Sequence, residues 1–405
     1  SARAFSAMNI DYVLAYYAPD YLENDINYWA CVLNTKGCFK LGTIINAPNV
    51  MLVNESKEVG DQGYYNIIKD QAEYKDIGNI EQIISITNPT DILIYPGRYS
   101  CELLFKSLNA FNGKIHIDFH YDSGHILKGI KTNVNTIILS TSSSHFKEQC
   151  NGTLKGIVEY FKPYDVNQFV VKENRGGSYC FDVGSQKAIE APAYYVPTMH
   201  SVGVGDVYNA VFVSQILDDD IEKRMRLAAL CAAKYAETMS FCKFAENTKL
   251  ILDNIDELID LQGIRLSWSE RSQKNIYLAA PDFPNVDTKP LEKLYECLLY
   301  HNFRPHLPVR ENGLADSFLR YEDELRLYNS DIQLLKSCDL LIAVLLYNDP
   351  GTLVELGMFK QSEKPTIVYD PFSCCENMFV KHTPDFLCKT IDDVISSTYQ
   401  CLSRI

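Results

Sequence analysis

The sequence predicts an α/β protein with two domains, each built around a largely parallel sheet. Strand-like apolar runs alternate with helical stretches over residues 91–172 and again from Asn275 onward, and this alternation is typical of parallel sheets. A polar, aperiodic stretch at 265–274 separates the two regions. We therefore predict a first domain at 8–264, a linker at 265–274 and a second domain at 275–405.

Length and composition fit this organisation and narrow the range of partners. The chain has 405 residues, of which 46 % are hydrophobic, enough for two or three domains with buried cores. Its net charge of −14, without a block of Lys or Arg, makes nucleic acid and anionic membrane poor partners. Ser1 to Ala7 look like a cloning remnant before Met8, and we expect neither a signal peptide nor a membrane-spanning segment.

Cysteine usage indicates a reducing compartment. The 13 cysteines are an odd number and include no CxxC pair, unlike the cysteines of a disulfide scaffold. Several of them, such as Cys231 and Cys338, lie in apolar runs, where cysteine behaves as a small core residue. We expect a cytoplasmic protein, and we expect no metal site.

The elements of the first domain follow from hydrophobic periodicity. Residues 8–90 alternate short strand-like runs with turns and carry no motif that indicates chemistry. The strands predicted after them are Asp91–Tyr95, Lys114–Asp118, Thr136–Ser140 and Gln168–Lys172. The predicted helices are Ser100–Asn109, Ser143–Phe161, Met225–Thr238 and Ile251–Ile264.

A glycine-rich turn, Gly203-Val-Gly205-Asp206, opens a further helix. Glycines let backbone N–H groups at a helix N-terminus approach a phosphate, and the helix dipole favours the negative charge. An Asp beside such an anion hole can take the proton of an attacking hydroxyl. The alternative is a structural turn capped by Asp206.

From about Asp91 to Asn254 the chain resembles the ribokinase (PfkB) family of sugar and nucleoside kinases, most specifically at this turn. The resemblance implies a ribokinase-like three-layer α/β domain. If this half is an active kinase, it also implies ATP and Mg²⁺ as cofactors, with Gly203 and Gly205 as the anion hole and Asp206 as the base.

Two features of that family are missing here. The glycine pair and the Asn that grip the sugar do not occur before Asp91, and Ser140-Thr-Ser-Ser-Ser144 stands where Asn-x-x-Glu is usual. The fold is therefore implied more strongly than the activity. A non-catalytic sensor or oligomerisation module remains an alternative to a kinase.

The second domain repeats the alternation of strands and helices in a flavodoxin-like order. Its predicted strands are Asn275–Ala280, a short one within Arg304–Val309, Cys338–Leu346 and Pro365–Tyr369. Its predicted helices are Leu291–Asn302, Asp316–Ser337, Thr352–Lys360 and Ile391–Leu402.

The stretch from Asp349 to Gly357 places polar groups after a buried strand and at the start of a helix. Open α/β sheets bind ligands at the carboxyl ends of their strands, so this stretch is the strongest candidate for a functional site. The alternative is structural, because Thr352 and Glu355 have the spacing of a capping box.

Five features in order give the second domain a family resemblance. They are Tyr277, Asp331, Asp349, Glu355 and the pair Asn377-Met378. From Lys274 to the C-terminus these residues resemble the nucleoside 2-deoxyribosyltransferase family, including its branch of nucleotide N-glycoside hydrolases. The resemblance implies a flavodoxin-like or Rossmann-like parallel-sheet domain and no cofactor for the glycosidic chemistry.

The resemblance also implies roles for these residues. Glu355 matches the nucleophile, and a carboxylate can stabilise the anomeric cation or form a covalent glycosyl-enzyme. Asp331 matches the proton donor to the leaving base. Asp349 would lie beside the sugar, and Tyr277 would orient Glu355.

The remaining implied residues contact the substrate. An Asn such as Asn377 comes from an adjacent subunit in this family, which implies a homo-oligomer with shared active sites, and Gly351 and Thr352 are predicted to contact the substrate as well.

The predicted substrate is a nucleoside, nucleotide or related small molecule. The predicted reaction is cleavage or transfer of its N-glycosidic bond, and gating by the first domain would suit a nucleotide-depleting defence effector. The alternative is a sugar or nucleoside kinase, alone or in addition, that uses Asp206.

Overall fold

The computed structural model describes most of the chain and divides it into two units. Its gaps are residues 47–49, 54, 63, 68–72, 77, 98, 120–126, 128–129, 215, 218–219, 315–319 and 404–405, and it describes only the backbone of 50–51 and 64–67. The first unit comprises Ser1–Lys57 and Gln62–Gly263, and the second comprises Glu58–Asp61 and Ile264–Ile405. Within the described residues, no helix has the length and apolar character needed to cross a membrane.

The first unit contains eleven of the labelled strands and nine of the labelled helices within the described residues. They are α1 (Ala2–Ala7), β1 (Val13–Ala18), α2 (Glu23–Val32), β2 (Gly37–Ile45), β3 (Val50–Val53), β4 (Tyr64–Ile67), β5 (Glu73–Asp76), α3 (Ile80–Thr87), β6 (Asp91–Ile94), α4 (Cys101–Leu108), β7 (Lys114–Asp118), β8 (Val134–Ser140), α5 (Leu154–Phe161), β9 (Val166–Lys172), β10 (Ser178–Asp182), β11 (Lys187–Ala191), α6 (Val204–Val213), α7 (Ile221–Ala236), α8 (Phe241–Asp253) and α9 (Ile255–Leu258).

A six-stranded sheet organises the first unit, in the order β11-β10-β9-β8-β7-β6. Strands β6 to β9 are parallel, whereas β10 pairs antiparallel with both β9 and β11. The α/β class and the four predicted strands are confirmed. The carboxyl ends of β6 to β9 therefore lie along one edge, and residues at those ends are brought together.

Two helix predictions in the first unit are wrong. The helix predicted at Ser143–Phe161 is a π-helix at His145–Gln149 followed by α5. Asn151 and Gly152, which lie between them, have positive φ angles of 50° and 60° that a helix cannot contain. The helix predicted at Ile251–Ile264 is the end of α8 and the short α9, separated at Asn254.

The N-terminal helix α1 is part of the core of the first unit. Ala4 is fully buried and Met8 is 5 % exposed, and both join the cluster formed by α6, α7 and α8. Smaller sheets follow along the chain, with the orders β1-β2-β5 and β3-β4.

The second unit contains the remaining labelled elements. They are α10 (Trp268–Arg271), β12 (Asn275–Ala279), α11 (Lys289–Tyr300), β13 (Arg304–His306), α12 (Pro308–Asn312), α13 (Tyr321–Ser337), β14 (Leu340–Val344), α14 (Pro350–Lys360), β15 (Thr366–Tyr369), α15 (Met378–His382), β16 (Phe386–Cys388) and α16 (Ile391–Leu402).

In the described part of the second unit, five strands form one parallel sheet in the order β13-β12-β14-β15-β16. This is the flavodoxin-like order 2-1-3-4-5, so the predicted topology is confirmed. The order reverses between β12 and β14, and the carboxyl ends of these strands are where such a sheet binds its ligand.

Alternate residues of the central strands face two different helical layers. Ile276 and Leu278 pack in the cluster that includes α11 and α16, whereas Tyr277 and Ala279 pack with Leu335, Leu356 and Phe359 of α13 and α14. This is the period of two that a strand imposes on its side chains. Tyr277 therefore faces the layer that carries the predicted acidic residues.

Residues 265–274, predicted as a linker, cluster with the second unit. Leu266 is 1 % exposed and lies in the core, and Arg271 is fully buried. The guanidinium of Arg271 donates to the hydroxyl of Tyr399 at 2.6 Å and to the carbonyl of His301 at 3.3 Å. The stretch looks like a linker because a buried, hydrogen-bonded Arg contributes no apolar periodicity.

Candidate active site

Helix α14 follows the end of β14 after five intervening residues, and Asp349 fixes its first turn. The carboxylate Oδ2 of Asp349 accepts from the backbone N–H of Thr352 at 2.7 Å and from its hydroxyl at 2.9 Å. Pro350 follows as the first helical residue, the position at which proline suits a helix start. The capping box considered for Thr352 and Glu355 is therefore wrong, because the cap is Asp349 and Glu355 lies in the second turn.

Glu355 is held by a tyrosine of the sheet. The hydroxyl of Tyr277 donates to Glu355 Oε1 at 2.6 Å. Tyr277 is the third residue of the five-residue strand β12 and is fully buried, and its hydroxyl reaches across to α14. A carboxylate in a single rotamer is what a nucleophile aimed at one carbon atom requires.

Asp331 reaches the same place from helix α13. Asn312, the last residue of α12, donates from Nδ2 to Asp331 Oδ1 at 2.7 Å. The charge of Asp331 is close enough to raise the pKa of both Glu355 and Tyr277. Two helices and a strand thus bring together Glu355, Asp331, Asp349 and Tyr277, the four residues predicted as catalytic.

The electrostatics of this cluster suppress ionisation. Burial, together with the charges of Asp331 and Asp349, raises the pKa of Glu355 from its usual 4.5 to about 7, although the Tyr277 hydrogen bond opposes the change. Burial also raises the pKa of Asp331, against the Asn312 hydrogen bond. Such shifts are typical of sites that use carboxyl groups as acids, bases or nucleophiles.

The arrangement offers two carboxyl groups with different chemical properties. Glu355 offers a poorly solvated carboxylate that gains most when positive charge develops beside it. Asp331 keeps its proton to a higher pH than an ordinary Asp and can donate it.

The residues predicted to contact substrate are placed differently from one another. Thr352 is 1 % exposed, and its hydroxyl donates a hydrogen bond to Asp349. Thr352 therefore orients the Asp349 carboxylate. Gly351 is exposed, and a side chain there would lie 3.1 Å from Asp349 Oδ2. Asn377 is exposed and caps α15 by accepting from the backbone N–H of Phe379 at 2.8 Å.

The kinase-like motif of the first unit opens helix α6 as predicted. Gly203 adopts a left-handed conformation with φ of 80° at the N-cap, and Asp206 lies in the first turn. A Cβ atom on Gly205 would lie 3.2 Å from the ammonium nitrogen of Lys172. The N-terminus of α6, whose free N–H groups favour an anion, and the Lys172 ammonium group therefore lie together at Gly205.

Two further polar residues, not singled out from the sequence, join Lys172. Lys172 Nζ donates to Asn209 Oδ1 at 2.8 Å and lies 3.8 Å from Asp118 Oδ1, and Asn209 Nδ2 donates to Asp118 Oδ2 at 2.9 Å. The sequence feature that could have identified these residues was their position. Asp118 ends β7, Lys172 ends β9, and Asn209 follows Asp206 by about one turn of α6.

The Tyr277 hydroxyl can be tested by removing it. In Tyr277→Phe, Glu355 loses the hydrogen bond that lowers its pKa, so the pH at which Glu355 becomes ionised rises. We expect the acid limb of the pH–activity profile to move to higher pH, with a loss on the order of tenfold at pH 6 and partial recovery at pH 9. Tyr369→Phe, in β15 and facing the opposite layer, should leave the profile unchanged. An unmoved limb in Tyr277→Phe would show that the hydroxyl has no influence on the nucleophile.

The raised pKa of Glu355 also predicts a stability effect. The folded state holds the Glu355 proton more tightly than the unfolded state, so this group lowers the free energy of unfolding as pH rises from 4.5 to about 7, and the full penalty is present above that range. Glu355→Gln removes the charge and should stabilise the protein at pH 8 by on the order of 3 kcal/mol, with little gain at pH 4.5.

Thermal unfolding of the two proteins at both pH values measures this difference. Glu296→Gln, at an exposed position of α11, is the matched control and should change the midpoint little at either pH. A Glu355→Gln protein that is no more stable than the parent at pH 8 would contradict the desolvated carboxylate.

Comparison with known families supports one of the two predicted resemblances directly. Residues 276–380 match the family model described as nucleoside 2-deoxyribosyltransferase. This range contains Tyr277, Asp331, Asp349, Glu355 and Asn377, so the resemblance predicted for the second domain is confirmed. No curated protein matches the chain.

Similar solved structures include two ribokinases and a phosphofructokinase. They include ribokinase from Arabidopsis thaliana complexed with ribose and ATP, at 12 % identity over 64 % of this chain and 86 % of that chain, with a TM-score of 0.47. Ribokinase from Giardia lamblia is 12 % identical over 63 % of this chain and 87 % of that chain, with a TM-score of 0.49. Phosphofructokinase-2 from Escherichia coli in complex with potassium is 12 % identical over 63 % and 85 %, with a TM-score of 0.47. A likeness at this identity does not extend to activity.

Proposed function

We propose that the second unit breaks or transfers the N-glycosidic bond of a nucleoside, nucleotide or related small molecule. The observation that supports this most is the Tyr277–Glu355 hydrogen bond of 2.6 Å within a cluster of three carboxylates. The cluster follows the strand end at the reversal of the sheet order, where open sheets bind ligands. The family match over 276–380 supports the same reaction class.

In the proposed reaction, Glu355 acts as the nucleophile. Its carboxylate attacks the anomeric carbon while the bond to the base breaks, which gives a covalent glycosyl-enzyme. Asp331 donates a proton to a neutral leaving base. Water or a second base then takes the glycosyl group, and this chemistry requires no cofactor.

We further propose that the working form is a homo-oligomer in which Asn377 completes the sugar site of another copy. Asn377 is exposed, and Phe372, Met378 and Phe379 beside it along the chain are 57 %, 66 % and 70 % exposed. Exposed apolar groups of this kind are typical of association surfaces. The solution mass measured by light scattering tests the proposal, and a monomer at working concentration would exclude it.

The proposed activity is tested by incubating the protein with nucleosides, nucleotides and NAD and measuring free base by chromatography. Adding a second base separates transfer, which yields a new nucleoside, from hydrolysis, which yields free sugar. Release of base that requires Glu355 supports the proposal. No release from any donor would overturn it.

For the first unit we propose a sensor that binds a phosphorylated or nucleoside ligand near Gly203, Gly205 and Asp206. The helix N-terminus and the Lys172 ammonium group at Gly205 support anion binding. The missing sugar-gripping motif favours a sensor over a kinase. Such a ligand changes base release only if it binds one state of the protein more tightly than another. The alternative is a kinase that uses ATP and Mg²⁺ with Asp206 as the base.

Gly205→Asp is predicted to abolish regulation while leaving the Glu355 chemistry intact. The new carboxylate would lie beside Lys172 Nζ, neutralise it and repel an incoming phosphate. We expect the effect of added ATP or phosphorylated sugars on base release to disappear. Gly184→Asp adds the same charge at an exposed turn of the first unit and should retain the response.

Asp206→Asn separates the sensor from the kinase. A sensor needs no base for phosphoryl transfer, so regulation should persist in this variant. ATP consumption and base release are measured side by side in the parent and the variant. Phosphorylation of a sugar or nucleoside that occurs in the parent and vanishes in Asp206→Asn would make the chain a bifunctional kinase.

A further inference from the structure

The proposed proton donor, Asp331, is hydrogen-bonded to a side chain from a different helix. Asn312 Nδ2 donates to Asp331 Oδ1 at 2.7 Å. Both residues are half-buried, and away from water such a hydrogen bond is electrostatically stronger than at the surface. One of the two carboxyl oxygens of Asp331 is therefore occupied by a donor of the protein itself.

Helix α12, which carries Asn312, has both of its ends set by sequence. Pro308 is its first residue and is buried, and Gly313 directly follows its last. Gly313 has a φ of 106°, in the region that favours glycine, and its N–H donates to the Val309 carbonyl at 3.1 Å. Asn312 is the residue before this glycine, so the end of the helix fixes the position of its backbone.

An arginine ties α12 to two neighbouring segments of the second unit. Arg310 Nε donates to Asp282 Oδ2 at 2.9 Å in the loop after β12, and Arg310 Nη1 donates to Glu292 Oε2 of α11 at 3.1 Å. A planar guanidinium bound by two carboxylates is restricted in its orientation. Helix α12 is thus a held support from which Asn312 reaches Asp331.

The hydrogen bond also makes the two oxygens of Asp331 different from each other. In a protonated carboxyl group the carbonyl oxygen is the better acceptor, and the other oxygen carries the proton. With the Asn312 N–H on Oδ1, the proton of neutral Asp331 resides on Oδ2. The same hydrogen bond becomes stronger once that proton has left, because an N–H group binds a carboxylate more strongly than a neutral acid.

We propose, on the basis of the glycosidic function above, that Asn312 is a positioning residue that directs the Asp331 proton to the leaving base from Oδ2. In the first step the Oδ2–H bond breaks and the proton binds to the base, which keeps the electron pair of the breaking C1′–N bond. Glu355 forms the new bond to C1′. In the second step water attacks C1′, one of its protons passes to Asp331 Oδ2, and Glu355 leaves as a carboxylate.

Asn312→Leu removes the donor and nearly keeps the volume of the side chain. We expect kcat for donors with a neutral base to fall roughly 10- to 100-fold, the ratio that a hydrogen bond to a charged group commonly gives. KM should change little, because the bond gains strength only as charge develops on Asp331. Asn329→Leu makes the same change at an exposed position of α13, two residues from Asp331 and off its helix face, and should keep the parent kcat.

The pH profile separates positioning of the acid from a general structural effect. The Asn312 hydrogen bond lowers the pKa of Asp331, so its loss raises that pKa. Activity needs the protonated acid and falls as pH rises through this pKa, so the corresponding limb should move to higher pH in Asn312→Leu. The limb is identified by its absence in Asp331→Asn. A lower kcat with an unmoved limb would contradict the inference.

Asn312→Asp provides a second variant that keeps the shape of the side chain. It replaces the N–H group by a carboxylate oxygen, and two adjacent carboxyl groups resist ionising together. Asp331 should then hold its proton to a still higher pH than in Asn312→Leu, and the limb should move further. A limb at or below the position of the parent would contradict the inference. Thermal unfolding of each variant shows that the protein is folded at the assay temperature.

A double-mutant cycle gives the decisive measurement. Base release is followed by chromatography for the parent, Asn312→Leu, Asp331→Asn and the protein with both changes. If Asn312 acts through Asp331, adding Asn312→Leu to Asp331→Asn should cause little further loss of kcat. Losses that multiply would show that Asn312 acts independently, which overturns the inference and leaves the proposed function standing. Release of base from no donor, even by the parent, would overturn both.

Discussion

Glu355→Gln is expected to reduce base release by a factor of about 10³ or more, several kcal/mol of activation barrier. Gln has the size of Glu and can still accept the Tyr277 hydrogen bond, but it can neither stabilise an anomeric cation by its charge nor form a glycosyl ester. The loss should appear in kcat and in kcat/KM, because the missing interaction belongs to the transition state. Free base measured by chromatography over a range of donor concentrations gives both quantities.

The control for this prediction must separate chemistry from folding. Glu296→Gln makes the same substitution at an exposed position of the same unit and should retain full activity. The predicted gain in stability of Glu355→Gln at pH 8 is a second control, since a more stable but inactive protein has lost function and not fold. Turnover within a few-fold of the parent would leave Glu355 with a structural role only.

The central strands β12, β14 and β15 of the second unit could be predicted because they are buried on both faces, whereas the short edge strand β16, which is only partly buried, was not predicted. Every residue of β14 is fully buried, so it appears in the sequence as the continuous apolar run Leu340–Val344 that marks a central parallel strand. The alternation of such runs with helices then fixes the parallel arrangement. The same property made β7 to β9 recognisable in the first unit, where most residues of these strands are buried.

The N-terminal strands of the first unit lack that signal. Most described residues of β1 and β2 are only half-buried, so neither the alternating pattern nor the continuous apolar run develops. Local pattern therefore could not locate them within residues 8–90. Hydrogen bonding between separate strands, such as the parallel pairing of β1 with β2, produces no recognisable pattern within one short segment of sequence.

The start of α14 shows how two local signals compete. Thr352 and Glu355 fit a capping box, while Asp349-Pro350 fits an Asp cap followed by proline at the first helical position. The residue spacing permits both patterns. Which residue becomes the N-cap of α14 depends on the position and direction of the chain after β14. Because Asp349 is the N-cap, Glu355 makes no capping hydrogen bond, and its carboxylate can accept the hydrogen bond from Tyr277.

The positions of Tyr277 and Lys172 illustrate a further limit. The strand period of two shows that Tyr277 and Ile276 face opposite layers, but not which layer carries Glu355. Lys172 was visible as a strand end, but a lysine side chain has many conformers, and only the partners Asp118 and Asn209 select one. Contacts between side chains from distant segments are decided by packing, which sequence spacing does not encode.

Asp331→Asn is expected to lower turnover most for donors whose base is a poor leaving group. An Asn cannot deliver the proton that a neutral base needs, and general acid catalysis of this kind is worth roughly 10²- to 10⁴-fold. Donors that leave without protonation avoid that step and lose only the electrostatic contribution of Asp331. The measurement is kcat for a series of donors, plotted against the basicity of the released base, and the dependence should be steeper in Asp331→Asn than in the parent.

Asp349→Asn is the matched comparison for Asp331→Asn, because it removes one negative charge from the same cluster without removing the proposed proton donor. Asn is as good an N-cap as Asp, so α14 should still begin at Pro350. We expect Asp349→Asn to lower kcat by a similar factor for every donor. The dependence of kcat on the basicity of the released base should stay unchanged. If Asp331→Asn also reduces kcat by the same factor for every donor, Asp331 acts through its charge and position. The proton must then reach the base from another group.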